Sequence, residues 1–240
     1  MKLQEHHIRS SSGEYERKIW VLEAVGGPAK RLGVFLDGEF YVNKMDGGEA
    51  LFDLQTRGVI PPTICVFVSH VSSEARHHDM TCNSRYAEFI AVDLVRWMRQ
   101  EFGVPEESGH LIAGVSLSGL EAAYLALSYP QVFGQCLSQS GSFWWEAERL
   151  TGELDRMPAS RGNFWLSVGA QETQSGLSHA PTGLRQEIAQ VTACEHFAEA
   201  LNERGHHVHF HLHGGTHSTE PWKAELHAAL EWLLGDQRDP

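Results

Sequence analysis

At 240 residues and 42% hydrophobic content, the chain is long enough to bury a full core and lies near the upper end for one domain, so a single domain over residues 1–240 is the default expectation. A formal net charge of −12 without a Lys/Arg cluster argues against nucleic acid as a partner, and disfavours a strongly anionic ligand unless a local basic patch offsets the field. No stretch approaches the roughly 20 apolar residues needed to cross a bilayer, and the first residues carry no apolar signal-peptide core, so the chain reads as cytoplasmic and not membrane-bound unless a leader has been removed.

Residues 4–9 and 14–22 alternate polar and apolar side chains across Ser10-Ser11-Ser12-Gly13 and predict an antiparallel hairpin. After Gly26-Gly27-Pro28, residues 31–36 read as a buried strand ending in Asp37-Gly38-Glu39-Phe40-Tyr41. A glycine just past a core strand places backbone amides at the carboxyl edge of the sheet, where open α/β sheets bind ligands. Helical and strand patterns then alternate: helix over 49–56, strand over 63–69, helix over 84–102, strand over 111–115, and strand over 133–138. Strands over 164–168 and 208–212 follow, with helices over 184–204 and 219–234, and residues 235–240 read as a frayed end. The alternation implies an α/β protein with a mostly parallel central sheet, an antiparallel N-terminal hairpin and helices on both faces. Cys65, Cys82, Cys136 and Cys194 lack C-x-x-C spacing, and Cys65 and Cys136 fall in apolar strand runs, so buried free thiols are expected.

The most informative stretch is Leu111-Ile112-Ala113-Gly114-Val115-Ser116-Leu117-Ser118-Gly119-Leu120, where an apolar run meets a turn of small residues and then a helix-forming segment. This is the order of a nucleophile elbow, in which the serine sits on a sharp strand-to-helix turn between two small residues. Gly114 and Ser118 take those flanking places around Ser116, the second being serine where the motif has glycine. Ser118 is a weaker candidate for the attacking hydroxyl, because Leu120 would crowd its turn.

In this architecture the chain order is nucleophile, acid, base. His217 lies after the last strand in His213-Gly214-Gly215-Thr216-His217-Ser218, whose paired glycines let a loop fold back over the sheet edge. Glu172 follows the strand over 164–168 and lies between Ser116 and His217 in the chain; Asp155 and Glu187 are rivals in helix-like sequence. A carboxylate there would orient the imidazole and stabilise its protonated form. The oxyanion donors expected are the backbone amides of Leu117 and Glu39.

Several stretches together resemble the enterochelin (ferric enterobactin) esterase family of α/β-hydrolases. They are Leu36-Asp37-Gly38-Glu39-Phe40, Arg76 through Asp79 to Cys82-Asn83, and Gly114-Val115-Ser116-Leu117-Ser118-Gly119. Ser138-Gln139-Ser140-Gly141-Ser142-Phe143-Trp144-Trp145, Gly169-Ala170-Gln171-Glu172 and Gly214-Gly215-Thr216-His217 with Trp222 complete the set, which spans residues 33–234. The resemblance implies an α/β-hydrolase fold, Ser116 as nucleophile, His217 as base and Glu172 as acid. Longer members of that family carry an amino-terminal domain, so the chain looks like a compact, catalytic-domain-only relative.

Substrate-facing candidates are Arg76, with His77 and His78 beside it, and the aromatic Trp144 and Trp145 after the strand over 133–138. Arg76 either meets an anionic or catechol oxygen or pairs with Asp79 to pin its loop. Lys44 and Arg185 are further sources of a local positive field. His207, His209, His211 and His213 alternate along one strand face, and with no carboxylate joining them they read as a partly solvated face rather than a metal site. The acidic pair Glu106-Glu107 reads as surface charge. The expected activity is hydrolysis of a small-molecule carboxylic ester through an acyl-enzyme, without cofactor or metal. A catecholate siderophore trilactone is the leading substrate; aryl or short acyl esters, including feruloyl types, are the alternative, and a catalytically silent binding module is the third reading.

Overall fold

The computed structural model describes residues 2–106 and 109–235, so Glu107 and, of the expected frayed end at 235–240, all but Gly235 lie outside the described residues. The chain opens with strands β1 (Gln4–Arg9) and β2 (Glu16–Leu22), paired antiparallel as the alternation predicts. Strand β3 (Arg31–Leu36) leads into α1 (Gly38–Asn43) and α2 (Gly47–Thr56); β4 (Thr63–Val68) leads into α3 (Ser73–Asp79). Helix α4 (Ser84–Glu88), a π-helical turn at Phe89–Leu94 and α5 (Val95–Phe102) together fill the predicted helix over 84–102. Then come β5 (His110–Val115), α6 (Leu117–Ser128), β6 (Phe133–Gln139), α7 (Trp145–Glu153) and β7 (Asn163–Gly169). A short hairpin of β8 (Leu177–His179) and β9 (Leu184–Gln186) precedes α8 (Gln190–Glu203), β10 (His207–His213) and α9 (Thr219–Leu234).

Among the described residues eight strands form one sheet in the order β1-β2-β4-β3-β5-β6-β7-β10, with every pairing from β4 to β10 parallel. The central strands are buried on both faces, so their sequences are continuous apolar runs, and the two-residue period sorts them between two cores. On β3 and β4, Leu32, Val34, Ile64 and Val66 join the core under α4 to α6 and α8, while Phe35, Cys65 and Phe67 join the core under α2 and α9. The chain leaves β3 in one direction through α1 and α2 and returns beyond it to β5, which makes the β3/β5 boundary the switch point of the sheet. In such sheets a crevice opens there at the carboxyl ends of the strands.

Two segments differ from expectation. Residues 184–186 are strand rather than the start of a helix, because Pro181-Thr182-Gly183, with Gly183 at φ 75°, turns the chain back on itself. Residues 38–43 are helical rather than a strand end; Asp37, at φ 54°, breaks the extended backbone first. All four cysteines are unpaired, and Cys65, Cys136 and Cys194 are buried. Among the described residues no helix is long and apolar enough to cross a membrane.

Candidate active site

Strand β5 ends at Val115, and the next residue, Ser116, turns the chain into α6 with φ 57° and ψ −121°, a conformation that L-residues adopt only where the surroundings enforce it. The bend is so tight that a Cβ on Gly114 would lie 2.0 Å from the Ser118 carbonyl oxygen. Ser118 is fully buried; its Oγ donates to the Val115 carbonyl at 2.7 Å and accepts from the Val115 amide at 2.8 Å. That clip accounts for serine where the motif has glycine, and it commits the rival hydroxyl to the backbone. Ser116 caps α6, so the Leu117 amide stands among the helix's unpaired N–H donors, and Leu117 lines the same cavity as Ser116.

Glu172 and His217 come from the ends of the neighbouring strands β7 and β10. His217 Nδ1 lies 2.6 Å from Glu172 Oε2, while Glu172 Oε1 accepts from Ser140 Oγ and from the Gly169 amide, each at 2.7 Å. Burial pushes the Glu172 carboxyl up, but the bonds from His217, Ser140 and Gly169 outweigh it and hold the group below the usual carboxylate range. The loop carrying His217 packs against Gly169 so closely that a Cβ there would meet the Gly215 carbonyl oxygen at 2.4 Å. With Nδ1 committed to Glu172, Nε2 is the nitrogen left to exchange a proton. Ser116, Leu117, Glu172 and His217 all line one cavity of about 500 Å³, and among the described residues no hydrogen bond is formed to the Ser116 hydroxyl. Asp155 and Glu187, the rival acids, pair with Arg204 and Arg185 away from that cavity.

Of the substrate-facing candidates, Arg76 and Trp144 line this cavity and Trp145 does not; Trp145 is buried with Arg149 over its ring. Arg76 does not pair with Asp79. Its Nε donates to the fully buried Asp37 Oδ2 at 2.7 Å and its Nη2 to the Val115 carbonyl at 3.3 Å, because α3 lays it across the ends of β3 and β5; Asp79 instead takes Arg17. His77 faces the cavity, whereas His78 is exposed beside Asp79. Neither Lys44, with its ammonium over the Phe40 ring, nor Arg185, paired with Glu187, lines it.

Glu39 is not among the cavity's lining residues. Its carboxylate takes Ser69 Oγ and lies 3.1 Å from His70 Nδ1, which is also 3.1 Å from Asp37 Oδ1. Between these two carboxylates the His70 imidazole is pushed up to about 9.

A second cavity of about 380 Å³ adjoins Ser116 and His217 on the α1 side and is also lined by Phe40, His70 and Ser73. The histidine row on β10 differs from expectation in having a carboxylate after all: buried Glu225 of α9 sits 2.7 Å from His211 Nδ1, and His209 stacks on Trp165 at 4.0 Å.

Sequence reasoning missed Ser140, which binds Glu172 and also accepts from Trp222 Nε1 at 2.9 Å, and Gln190, which donates to the Ser140 and Gly141 carbonyls. Ser140 follows β6 directly, so the rule that strand ends carry the site would have found it. Gln190 carried no signal.

A hydroxyl on a strained strand-to-helix bend thus shares a cavity with a carboxylate-bound imidazole, and the sheet is that of the α/β-hydrolase esterases. The chain belongs to the family described as "Putative esterase", which it matches over residues 26–233. It is 27% identical over 235 residues to an iron(III) enterobactin esterase of Dickeya dadantii (strain 3937), covering 94% of this chain and 53% of that protein. An enzyme of the same name from Escherichia coli (strain K12) is 31% identical over 132 residues, 54% of this chain and 33% of that one. The chain thus spans about half or less of the length of these curated relatives. Among solved structures, the enterobactin esterase FES of Shigella flexneri, crystallised in the presence of enterobactin, superposes with a TM-score of 0.83 at 24% identity over 97% of this chain and 59% of its own. The siderophore hydrolase EstB of Aspergillus nidulans gives 0.71 at 17% identity over 99% and 96%.

Proposed function

We propose that the chain is a serine esterase, acting within a single catalytic domain, that hydrolyses carboxylic esters through an acyl-enzyme on Ser116. The observation that carries this reading is the convergence of Ser116, His217 and the His217-bound Glu172 on one cavity at the carboxyl edge of the sheet. The Ser116 oxygen attacks the ester carbonyl carbon as its proton passes to His217 Nε2, and Glu172 stabilises the imidazolium so formed. The Leu117 amide receives the developing oxyanion, with the Glu39 amide in the first turn of α1 as second donor. Collapse of the tetrahedral intermediate expels the alkoxide, which takes the proton from His217. Water then attacks the acyl carbon, gives a proton to His217, and the acid leaves as Ser116 recovers its hydrogen. No step calls for a cofactor or metal.

For substrate we propose the ester bonds of a catecholate siderophore of the enterobactin type. The names of the relatives support it, and so does a cavity whose lining includes both Trp144 and Arg76. The test is turnover of metal-free enterobactin and of 4-nitrophenyl acetate by the protein and by Ser116→Ala and His217→Ala. Both esters are expected to be cleaved, with each variant slower by about 10⁴-fold or more. Trilactone opening that survives in Ser116→Ala would overturn the mechanism; cleavage of the acetate alone would overturn the substrate.

A further inference from the structure

The turn that leads β3 into α1 carries two carboxylates, Asp37 and Glu39, on either side of Gly38, at the place proposed for the second oxyanion donor. Its backbone has no slack: Asp37 stands at φ 54°, and a Cβ on Gly38 would lie 2.8 Å from the Phe67 backbone of β4. An oxyanion developing beside this turn meets two like charges unless cations stand against them.

The cations come from two elements. From α3, Arg76 Nε donates to Asp37 Oδ2 at 2.7 Å and its Nη2 to the Val115 carbonyl at 3.3 Å, which ties the turn to the residue before Ser116. From the end of β4, His70 Nδ1 lies 3.1 Å from Asp37 Oδ1 and 3.1 Å from Glu39 Oε2, and the His70 amide donates to that same Glu39 oxygen at 3.3 Å. Asp37 Oδ1 is buried and takes no hydrogen bond among the described residues, so the imidazole beside it is what meets its charge. With His70 protonated, the two carboxylates and two cations cancel. With His70 neutral, the turn keeps one negative charge uncompensated.

Asp37 first, and then Glu39, push the His70 imidazole up to about 9 against the effect of burial, so the ring is charged at neutral pH. Burial pushes the Glu39 carboxyl up, but His70, Ser69 and its own amide outweigh this and bring it down to about 2, which sets the charge of Glu39 at the donor itself. Besides Arg76, the titratable groups that share the second cavity with His70 and Ser116 are His217, and His77 of α3, which burial pushes toward its neutral form.

We propose that His70 is a positioning residue of this reaction: its cation, set between Asp37 and Glu39, cancels the negative charge of the β3–α1 turn and holds that turn ready to receive the oxyanion. The proposal rests on the esterase reading and adds to it a residue outside the triad that controls the alkaline side of the activity.

The test measures kcat and KM for 4-nitrophenyl acetate between about pH 7.5 and about pH 10.5, with spontaneous hydrolysis subtracted, for the protein and for His70→Gln, Glu39→Gln and the double variant. In the unmodified protein kcat is expected to fall about tenfold as pH rises through about 9, with KM within about twofold throughout. His70→Gln is expected to be about tenfold slower in kcat at about pH 7.5 and to show no such fall, so that the two proteins converge above about pH 10. Glu39→Gln, which leaves Asp37 alone to hold the proton, is expected to move the fall to lower pH by about one unit. The double variant, its charges again cancelled, is expected to recover to within about threefold of the parent at about pH 7.5, a rescue that damage to the fold would not give. A fall that keeps its position in His70→Gln or in Glu39→Gln, or a double variant no faster than His70→Gln, would overturn the role of His70. Acetate turnover that persists in Ser116→Ala would instead overturn the esterase reading beneath it.

Discussion

Ser140 offers a stringent test of how the site is held. Glu172 accepts from three donors, His217, Ser140 and the Gly169 amide, and the Ser140 hydroxyl also accepts the Trp222 indole N–H. Ser140→Ala removes a bond to a charged acceptor, about 1.5–3 kcal/mol, and leaves a buried indole N–H unpaired, about 1–3 kcal/mol; incomplete additivity makes about 2–4 kcal/mol the expected loss of stability at neutral pH. The pH dependence has a definite sign. Because Glu172 is held below the usual carboxylate range in the folded protein, its bonds stabilise the fold above the unfolded-state value and that contribution is lost as pH falls through the folded one. The gap between parent and variant, read from urea unfolding, is therefore widest near pH 7.5 and narrows in acid to the indole contribution. With one of the two bonds to Glu172 Oε1 lost and only the Gly169 amide left on that oxygen, the imidazole is less well aimed, and kcat for 4-nitrophenyl acetate is expected to fall about 10- to 100-fold, about 1.4–2.7 kcal/mol of barrier, with KM little changed. Ser140 sits at φ 47°, so Ser140→Gly relieves backbone strain and should be more stable than the alanine variant by about 1 kcal/mol while remaining as slow. A Ser140→Ala protein with kcat within twofold of the parent would refute the reasoning.

Two further perturbations probe the frame around the bend. In Gly114→Ala the new methyl would stand 2.0 Å from a backbone carbonyl with no flexible neighbour to yield, so thermal unfolding should show a loss of about 3 kcal/mol or more; a loss below about 1 kcal/mol would contradict the close approach of β5 and α6. For His70, a pKa raised from 6.5 to about 9 by Asp37 and Glu39 means that its ion pairs stabilise the fold fully below pH 6.5 and are lost as pH rises through about 9. His70→Gln should thus be less stable than the parent by about 2 kcal/mol at pH 6, with the difference closing above pH 9 in urea titrations; a gap that widens with pH would contradict the pairing.

Much of the frame was legible because it depends on local periodicity. Strands β3 to β7 announced themselves as apolar runs buried on both faces, and the opening hairpin as strict alternation. Gly114 and Ser116 stood out because only a narrow set of residues fits so sharp a bend, and the adjacency of β7 and β10 is what brings Glu172 against His217. What stayed hidden depends on contacts made across the fold. Arg76 has Asp79 close by in sequence, yet the helix α3 carries it to Asp37, a residue from another strand end. The β10 histidines gain Glu225 only once α9 packs on the sheet, and Glu39 points its carboxylate at Ser69 and His70 because β4 ends beside α1. Trp144 and Trp145 are adjacent in the chain and both are buried in the core, but Trp144 lines the cavity and Trp145 does not, a distinction set by the turn into α7. The β8–β9 hairpin was obscured by helix-forming residues, although its Pro181-Thr182-Gly183 turn was a usable signal.

If the Ser116 hydroxyl is made reactive by the His217 imidazole, covalent labelling will find it. The protein is treated with diethyl 4-nitrophenyl phosphate, digested, and the modified residue located by mass spectrometry. A single phosphorylated serine is expected at position 116, with Ser118, Ser140 and Ser142 untouched and labelling slowed about 10³-fold or more in His217→Ala. Modification of another serine, or an equal rate without the imidazole, would contradict it.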